Sequence, residues 1–416
     1  MTDRKLTNDQ QVGIDKINAW VSKPNDPYML LAGYAGTGKT YIMSLLASNP
    51  NVIFTAPTNK ATKELSKPIN KPAVTTFSCF GLRMEQVGEE LILSPGPTAP
   101  YFSRGTIVVI DEGSMVNQIL FDTVDKARFR SGVKILYVGD PMQLPPVNEQ
   151  FSKVWRLGLP EENTAVLREV VRHDNQILTL ATKTRVNIKQ ENYESPLISD
   201  NDGIEGVWKH RNKEQFEADM METILGDVHN SKFIAWRNRT VNEVNNKVRI
   251  ALGFKDEYNV GDILLVAEPV RSGDDTLAHI DDEFVVQDIE HDDVEVDGHR
   301  IPVYLLNVKN SEKSILLKIA KSEIILDEIL SKRARLAKNT SDSDKRRQMW
   351  QSFWQLKEKF QKVRYGYALT THRMQGSTCK NVFVDQQDVL ANRNELEAMK
   401  CLYVGFTRPT TRLVSY

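Results

Sequence analysis

The sequence predicts an α/β protein built from two parallel-sheet units, on three observations. Short apolar runs alternate with helical patterns over the first 185 residues, a second alternation begins near residue 176, and three more apolar runs end the chain. Buried strands separated by helices form a parallel sheet with helices on its faces. The length of 416 residues also exceeds one ordinary core, so two or more domains are expected.

The first unit contains four runs typical of buried strands, each followed by turn residues and a helical pattern: "YMLLAG", "VIFTAP", "TIVVID" and "VKILYVGD". Residues 83–105 interrupt this alternation with a Val-Gly turn between two short extended runs and then a Pro/Gly-rich return. We therefore expect a β-hairpin that projects from the edge of the sheet.

The second unit is interrupted as well. The segment "FIAWRNRTVNEVNNKVRIAL" (233–252) predicts a strand and a helix, and "YGYALT", "NVFVD" and "TRLVSY" continue the same sheet after the interruption. Residues 259–363 carry short strands joined by Asp- and Gly-containing turns, which predict a small antiparallel barrel. A charged helical stretch at 341–363 is expected to close it.

Composition narrows the class of protein. The N-terminus has no apolar signal segment, and no apolar run approaches the roughly 18 to 20 residues of a membrane span, so we expect a cytoplasmic protein. Cys79, Cys379 and Cys401 lie far apart without neighbouring His ligands, which argues against a disulfide framework and a zinc site. The net charge is −1, so a nucleic-acid partner would have to be held by local sites.

Two segments depart from this neutral balance. Residues 274–297 contain eleven acidic residues and no Lys or Arg, whereas residues 332–364 contain eleven Lys or Arg and three acidic residues. A solvated surface is the simplest interpretation of both. The basic segment also interleaves four aromatic residues and is followed at once by a fifth, which favours a partner surface there: Trp350, Phe353, Trp354, Phe360 and Tyr365.

The motif "GYAGTGKT" follows the first strand and precedes a helical pattern. Glycines let backbone N–H groups surround phosphates, and the helix N-terminus adds partial positive charge. Lys39 is placed to reach the β- and γ-phosphates of a nucleotide, and Thr40 can ligate Mg²⁺. The residues that the motif assigns to the nucleotide are Gly33, Ala35, Gly36, Thr37, Gly38, Lys39 and Thr40.

Two adjacent carboxylates, Asp111 and Glu112, end the strand "TIVVID" at the sheet edge where α/β proteins bind ligands. Asp111 would hold Mg²⁺ through water, and Glu112 would orient and deprotonate an attacking water. A helix N-cap Asp followed by a first-turn Glu explains the pair equally well in isolation. Together with the phosphate loop, the pair indicates NTP hydrolysis.

A neutral amide follows the next strand, in "YVGDPMQLPPV" (137–147). Gln143 can hydrogen-bond a γ-phosphate oxygen or the attacking water without adding negative charge, which favours a nucleotide-sensing role. A proline-stiffened turn is the alternative for this string taken alone.

Two further segments, "TAPTNKAT" (55–62) and "THRMQGST" (371–378), each follow a strand and place hydroxyl, amide or basic side chains at a helix start. Such groups suit phosphodiester oxygens of a nucleic acid. Simple N-capping explains either segment equally well.

In order and spacing, these motifs resemble those of superfamily 1 helicases when they are taken together with "LTNDQ" (6–10), "TTFS" (75–78), "VVRHD" (170–174) and "LYVGFTR" (402–408). The string "QLPP" and the short hairpin resemble the 5′→3′ subgroup that includes RecD-like enzymes, and the compact length is similar to that of tailed-phage helicases. The resemblance covers essentially the whole chain. It implies an α/β fold of two RecA-like parallel-sheet domains, with an inserted β-hairpin (the pin) and an inserted small SH3-like β-barrel.

The domain limits follow from the same resemblance. They are 1–82 and 106–175 for the first RecA-like domain with the phosphate loop, 83–105 for the pin, 176–258 and 364–416 for the second RecA-like domain, and 259–363 for the barrel with its helical segment.

The resemblance also implies roles for single residues. Gln10 would contact adenine, and Gln143 would link the γ-phosphate to DNA. Arg172 and Arg408 would reach the γ-phosphate across the cleft between the domains. Gly376 is assigned to the nucleotide as well. The residues expected to contact DNA are Pro57, Thr58, Asn59, Thr76, Phe77, Thr371, His372 and Arg373.

Three positions depart from the family pattern: Phe77, Gly113 and the pair Pro409–Thr410, which follows Arg408 where Gly or Ala and a second basic residue are usual. Phe77 stands where a His is common, and its ring could stack on a base. Gly113 follows Asp-Glu where a small or branched residue is usual, and we expect it to loosen the local backbone.

The leading interpretation is an ATP- and Mg²⁺-dependent 5′→3′ DNA helicase that translocates on single-stranded DNA and separates duplex. It is expected to be a monomer, with a single-strand-binding or replication protein as a candidate partner, and to act in the host cytoplasm if it is phage-encoded. A DNA-stimulated ATPase that strips proteins from DNA without strand separation stays open, as does RNA as the substrate. A P-loop kinase would have no use for a second sheet domain with "THRMQGS" and "YVGFTR".

Overall fold

In a computed structural model of the chain, the described residues are 6–95, 101–146, 148–171, 176–272 and 275–416. The chain divides into two compact units. Unit 1 comprises Met1–Arg83, Ser94–Val241 and Leu369–Tyr416, and unit 2 comprises Met84–Leu93 and Asn242–Ala368. Within the described ranges, no helix combines the length and apolar character needed to cross a membrane.

The first part of the chain alternates strands and helices. Its elements are α1 (Asn8–Ser22), β1 (Tyr28–Gly33), α2 (Lys39–Leu46), β2 (Val52–Ala56), α3 (Asn59–Ile69), β3 (Ala73–Thr75), α4 (Thr76–Cys79), β4 (Leu82–Val87), β5 (Glu90–Pro95), β6 (Ile107–Ile110), α5 (Gln118–Ser131), β7 (Lys134–Gly139) and β8 (Thr164–Leu167). Six of these strands form a parallel sheet in the order β3-β2-β6-β7-β1-β8. Strands β1, β6 and β7 are buried along their whole length, which explains their unbroken apolar sequences.

Strands β4 and β5 pair only with each other and form the predicted hairpin. The turn lies at residues 88–89, one residue later than the expected Val-Gly turn, and Gly88 has a φ of +60° there. This left-handed conformation is one that glycine adopts without strain. The prediction for residues 83–105 also includes 96–100, which lie outside the described residues.

The middle of the chain begins with elements of unit 1 and enters unit 2 within a helix. The elements are α6 (Gln176–Lys189), β9 (Asp200–Asn201), β10 (Gly206–Lys209), α7 (Lys213–Gly226), β11 (Ser231–Ala235) and α8 (Asn238–Ala251).

Unit 2 then contributes β12 (Ile263–Val266), β13 (Val270–Ser272), β14 (Asp275–Ala278), β15 (Glu283–Val296), β16 (His299–Lys309), β17 (Ser314–Ala320), α9 (Glu323–Asn339), α10 (Ser343–Lys359) and β18 (Val363–Tyr365). Five strands form an antiparallel sheet in the order β17-β16-β15-β12-β18. Its core includes Leu264, Phe284, Leu306 and Leu317. The charged segment predicted as one helical stretch is a pair of helices, because α9 precedes the expected helix α10.

The last part of the chain returns to unit 1 with β19 (Ala368–Thr370), α11 (Thr371–Met374), β20 (Cys379–Val384), α12 (Gln386–Leu390), α13 (Glu395–Phe406) and β21 (Pro409–Ser415). These strands complete a second sheet in the order β19-β11-β20-β21-β10-β9. The pairs β11–β20, β20–β21 and β10–β21 are parallel, and β9 is antiparallel. The run "YGYALT" divides between two sheets, since Tyr365 belongs to β18 and Ala368 begins β19.

Candidate functional site

Three neighbouring strands of the first sheet end at one edge. In the parallel register Ala32 of β1 lies opposite Gly139 of β7, and Ile110 of β6 lies opposite Tyr137 of β7. The phosphate loop, Asp111 and Asp140 each follow one of these strands. The topology therefore brings together the three motifs that the sequence predicted to share a site.

The phosphate loop is closed around the side chain of Lys39. The Lys39 ammonium donates to the carbonyl oxygens of Gly33 and Tyr34, both at 2.9 Å, and α2 begins at this lysine. The Thr37 hydroxyl donates to Tyr34 O at 2.9 Å. Lys39 is thus held at the mouth of the loop by neutral oxygens, where an anionic phosphate would offer a stronger partner.

Gln10 lies against this loop and shapes it. Its Oε1 accepts from the backbone N–H of Thr7 at 3.1 Å, and its Nε2 donates to Thr37 O at 2.9 Å. Gly38 has a φ of +84°, and a Cβ there would lie 2.4 Å from Gln10 Nε2. The structure places Gln10 at the nucleotide loop, and its contact with adenine stays a prediction.

The two carboxylates at the end of β6 have different surroundings. Burial and the neighbouring charge of Glu112 together raise the pKa of Asp111 to about 7, against the opposing effect of Lys39. Glu112 has a φ of +50°, a left-handed conformation that is uncommon for a residue with a side chain. Backbone strain of this kind is concentrated at functional sites, so the observation supports a functional position for Glu112.

Gly113 does not loosen the backbone, contrary to the expectation from the sequence. It is buried, and a Cβ on it would lie 3.2 Å from both the Trp155 ring and Val138 O. The Ser152 hydroxyl fixes the same turn by donating to Gly113 O at 2.9 Å. Close packing therefore explains the absence of a side chain at this position.

A buried ionic cluster joins the two sheets of unit 1. The Asp140 carboxylate, fully buried, accepts hydrogen bonds from the Arg185 guanidinium of α6 and from the Tyr403 hydroxyl of α13. The Arg185 guanidinium lies 3.8 Å from the centre of the Tyr34 ring, and the Tyr403 hydroxyl accepts from the Ala35 amide at 3.4 Å. We call these five residues the Asp140 cluster, and they link the phosphate loop to two helices of the second sheet.

The sequence analysis did not predict a role for Arg185. It included Tyr403 in the motif "LYVGFTR" but gave this residue no role of its own. Arg185 stands in a helical pattern, where a charged residue is usually a solvated one. The only signal was its apolar context in "LTLATKTRVNI", which gives no partner.

Gln143 also meets the second sheet. Gln375, buried after α11, donates through Nε2 to Gln143 Oε1 at 3.3 Å and to Leu144 O at 3.4 Å. The nucleotide-sensing motif and the segment "THRMQGST" are therefore in direct contact.

Arg408 is buried, and its guanidinium has no carboxylate within hydrogen-bond distance in the part of the chain that the structure describes. Its Nε donates to Val404 O at 3.1 Å, NH1 to Ser377 O at 3.2 Å and NH2 to Thr407 Oγ1 at 2.8 Å. Burial lowers the pKa of Arg408, whereas the charge of Glu112 acts in the opposite direction. The preceding run "LYVGF" is the end of α13, not a strand. Arg172, the second predicted guanidinium, lies outside the described residues.

The residues predicted to contact DNA divide by exposure. Thr58 caps α3 by accepting from Ala61 N at 3.1 Å, and Asn59 begins that helix beside the buried Pro57. The remaining half-buried members are Phe77, His372 and Arg373.

Two predicted hydroxyl contacts need correction. Thr76 is fully buried and donates to Thr55 Oγ1 at 3.1 Å, and Thr371 is fully buried and donates to Ala235 O at 3.3 Å. Both hydroxyls hold strands in place, so they do not face a ligand. Gly376, assigned to the nucleotide, lies beside α3, because a Cβ there would be 3.6 Å from the Ala61 Cβ.

Comparisons with known proteins agree with this arrangement. Residues 7–199 match the family model described as AAA domain, and residues 365–415 match that of the UvrD-like helicase C-terminal domain. The chain is 26% identical over 452 residues to the ATP-dependent DNA helicase dda of Enterobacteria phage T4, with 98% of both chains covered. It is 23% identical over 495 residues to an uncharacterized protein of Acanthamoeba polyphaga mimivirus, with 97% of this chain and 98% of that protein covered.

Solved structures show the same fold. A structure of two coordinating Pif1 helicases at forked double-stranded DNA superposes with a TM-score of 0.53 at 18% identity, covering 99% of this chain and 92% of that one. Pif1 helicase from Bacteroides, in complex with ADP-AlF3 and single-stranded DNA, gives 0.50 at 17% identity with the same coverage. The core is thus a parallel-sheet α/β core of the same fold as in these helicases. The chain is similar over nearly its whole length to a DNA helicase of a phage, and it shares the fold of Pif1 helicases.

Proposed function

We propose that this protein is an ATP-dependent DNA helicase that moves 5′→3′ along single-stranded DNA and separates duplex by ATP hydrolysis. The observation that carries the proposal is the buried guanidinium of Arg408. Among the described residues it is bound only to neutral oxygens, and the charge of Glu112, just after β6, acts on it. A buried cation without an anion is costly, so an anionic ligand is its natural partner. The γ-phosphate of a nucleotide on the loop 33–40 fits that role.

The hydrolytic step is assigned to residues at the edge of the first sheet. Lys39 would exchange its bonds to Gly33 O and Tyr34 O for bonds to phosphate oxygens. Glu112 would accept the proton of the attacking water, and Arg408 would stabilise charge that develops on the γ-phosphate. Arginine fingers of this type contribute about 10³ to 10⁵ in rate in related enzymes. Arg172 is proposed as the second finger on the family resemblance alone.

Thr40 and Asp111 are the proposed Mg²⁺ ligands, with Asp111 acting through water. Both offer hard oxygen donors next to the loop, and the raised pKa of Asp111, which the neighbouring charge of Glu112 helps to cause, supports a cation at this position. A bound Mg²⁺ would neutralise negative charge on the phosphates.

Movement along DNA is proposed to follow from closing and opening of the two sheets of unit 1 around the nucleotide. The hydrogen bond between Gln375 and Gln143 supports this proposal, because it joins a predicted DNA segment to a predicted nucleotide sensor. The proposed DNA contacts are those whose side chains are not fully buried: Thr58, Asn59, Phe77, His372 and Arg373. The 5′→3′ polarity follows from the family.

The hairpin β4–β5 is proposed as the pin that splits the duplex, steadied by helices α9 and α10 of unit 2, the unit that contains most of the hairpin. The Trp354 indole N–H of α10 donates to Gly88 O in the hairpin turn at 2.9 Å, and the neighbouring Glu89 pairs with Lys338 of α9 at 2.5 Å. A pin must resist the force of the junction, and these contacts hold its tip. The inserted domain around β12–β18 is proposed to be the SH3-like barrel of the family.

The test of this function uses partial duplexes with either a 5′ or a 3′ single-stranded tail, in DNA and in RNA, with ATP and Mg²⁺. We expect unwinding of the 5′-tailed DNA and none with Lys39→Ala. Unwinding of only the 3′-tailed substrate would overturn the polarity, and preference for RNA would overturn the substrate.

The second candidate function is a DNA-stimulated ATPase that strips proteins from DNA without strand separation. A deletion in the hairpin distinguishes it from a helicase. Deletion of Gln86–Ser94 is expected to abolish unwinding and to spare ATPase stimulation by single-stranded DNA. Intact unwinding by this variant would show that the hairpin is not the pin. We further propose that the protein acts as a monomer in the cytoplasm, which is the host cytoplasm if the protein is phage-encoded, with a single-strand-binding or replication protein as a candidate partner.

A further inference from the structure

One charged surface is not used by the proposed mechanism. It lies at the end of the α9–α10 pair, where α9 finishes and α10 starts. Residues 332–347 contain seven Lys or Arg and two Asp. The first half of α9 instead carries Glu323, Asp327 and Glu328, so the helical pair is polarised along its length. We define the basic end as Arg335, Lys338, Lys345, Arg346 and Arg347.

All five side chains of the basic end are exposed. Lys338 pairs with Glu89, whereas Arg335, Lys345, Arg346 and Arg347 make no ion pair within the described residues. Four cations in close sequence without carboxylate partners repel one another. The surface is therefore not a network of surface ion pairs that supports the fold.

The position of three of these cations also runs against helix stability. Helix α10 begins at Ser343, and Lys345, Arg346 and Arg347 follow within about its first turn. The N-terminus of a helix carries partial positive charge and favours acidic residues, so cations there are unfavourable. Asp342 already caps this end by accepting from Asp344 N and Lys345 N, both at 3.0 Å. The three cations therefore do not stabilise the helix in which they lie.

The basic end lies next to the tip of the hairpin. Trp354 donates to Gly88 O, and a Cβ on Gly88 would lie 3.7 Å from the Trp350 ring. Residues three and four apart share a helix face, so Arg346 and Arg347 continue the face that carries Trp350. On α9, Lys338 contacts Glu89 and Arg335 lies one turn earlier on the same side.

We propose that the basic end binds the phosphate backbone of duplex DNA that has not yet reached the hairpin. This inference rests on the proposed function, in which the hairpin tip marks the junction. Nucleic acid beyond the junction is duplex, and duplex DNA carries one negative charge per roughly 1.7 Å of axis, twice the density of one strand. Contacts of this type hold and orient DNA without reading its sequence, as a protein that must unwind any sequence requires.

The test is direct binding to a blunt duplex that has no single-stranded tail, without nucleotide. Fluorescence anisotropy over a series of salt concentrations would compare the wild type with the triple variant Lys345→Gln, Arg346→Gln and Arg347→Gln. We expect at least about tenfold weaker duplex binding at low salt. Each phosphate contact contributes about 0.9 to the slope of log K against log salt, so the slope should fall by about 2.7.

A matched control removes the same charge elsewhere. Lys126, Arg130 and Lys189 are exposed on α5 and α6 of unit 1, and their triple change to Gln should leave duplex binding unchanged. The triple variant of α10 should melt at the same temperature as the wild type or higher, because the substitutions remove positive charge from a helix N-terminus. Its ATPase stimulation by single-stranded DNA should also stay unchanged.

Unchanged duplex binding by the α10 variant would overturn the proposal. This result is also the one expected if the basic end binds an acidic protein instead of DNA. Equal weakening by the control variant would overturn it too, since bulk charge would then explain the effect. The proposed function is tested separately, because the anisotropy titration needs neither ATP nor unwinding. If the proposed function is wrong, the wild type will show no DNA-stimulated ATPase activity.

Discussion

The Tyr403 hydroxyl donates a hydrogen bond to the buried carboxylate of Asp140 and accepts one from the Ala35 amide of the phosphate loop. Tyr403 comes from α13, three residues before Phe406 ends that helix, whereas Asp140 follows β7 in the first sheet. Burial raises the pKa of Tyr403, so the hydroxyl keeps its proton and remains a donor. The side chain of Tyr403 thus connects α13, which precedes Arg408, to the phosphate loop and to the end of β7.

Tyr403→Phe is expected to cost about 1–3 kcal/mol in the free energy of unfolding, because it leaves a buried carboxylate with one hydrogen bond fewer. Tyr137→Phe is the matched control, since the buried Tyr137 hydroxyl has no partner among the described residues and its removal should be neutral or stabilising. Urea unfolding at pH 7 measures both. Equal losses for the two variants would show that the hydroxyl of Tyr403 contributes nothing specific.

Arg185→Met is expected to destabilise unit 1 by about 3–5 kcal/mol, because it leaves Asp140 buried and charged without its cation. Adding Asp140→Asn to this variant should recover part of the loss, since the uncompensated charge is then gone. A double-mutant cycle by thermal unfolding gives the coupling between the two residues. Strict additivity would contradict the ion pair.

The raised pKa of Asp111 predicts a dependence of stability on pH in the absence of Mg²⁺. Its pKa is about 7 in the folded chain against an ordinary 3.8, so the folded state binds the proton more tightly between these values. The destabilisation caused by the ionised carboxylate is therefore complete above about pH 7 and is lost progressively as the pH falls from 7 toward 4. The melting temperature of the wild type should therefore fall more between pH 6 and 8 than that of Asp111→Asn.

Addition of Mg²⁺ should remove most of this difference at pH 8, because a divalent cation favours the ionised carboxylate. A wild type and an Asp111→Asn variant with parallel pH profiles would show that Asp111 is already ionised at neutral pH.

Arg408→Ala is expected to retain ATP binding and to lower DNA-stimulated hydrolysis by about 10³-fold or more, because the guanidinium acts on charge that develops in the transition state. Arg412→Ala is the control four residues away. Arg412 makes a bidentate ion pair with Asp219 at 2.9 and 3.0 Å, so its loss should lower stability and leave turnover intact. Nucleotide binding and ATPase assays on both variants decide the matter. Unchanged turnover of Arg408→Ala would remove the finger assignment.

Features that depend on local spacing could be predicted from the amino-acid sequence alone. A phosphate loop needs its glycines, lysine and threonine within eight consecutive residues, so "GYAGTGKT" was recognisable without a structure. The apolar runs before Asp111 and Asp140 predicted parallel strands that end at one edge, because buried strands leave an unbroken apolar pattern. The hairpin was also predicted from a turn signal between two extended runs.

Contacts between side chains that are distant in the sequence could be identified only from the folded structure. Arg185 and Asp140 are separated by 45 residues, and Gln375 and Gln143 by 232, so no local pattern links either pair. Thr76 and Thr371 show the converse: their motif suggested ligand contacts, but the folded chain buries both hydroxyls against neighbouring strands. Burial and pairing depend on the packing of whole elements, which residue type and spacing do not specify.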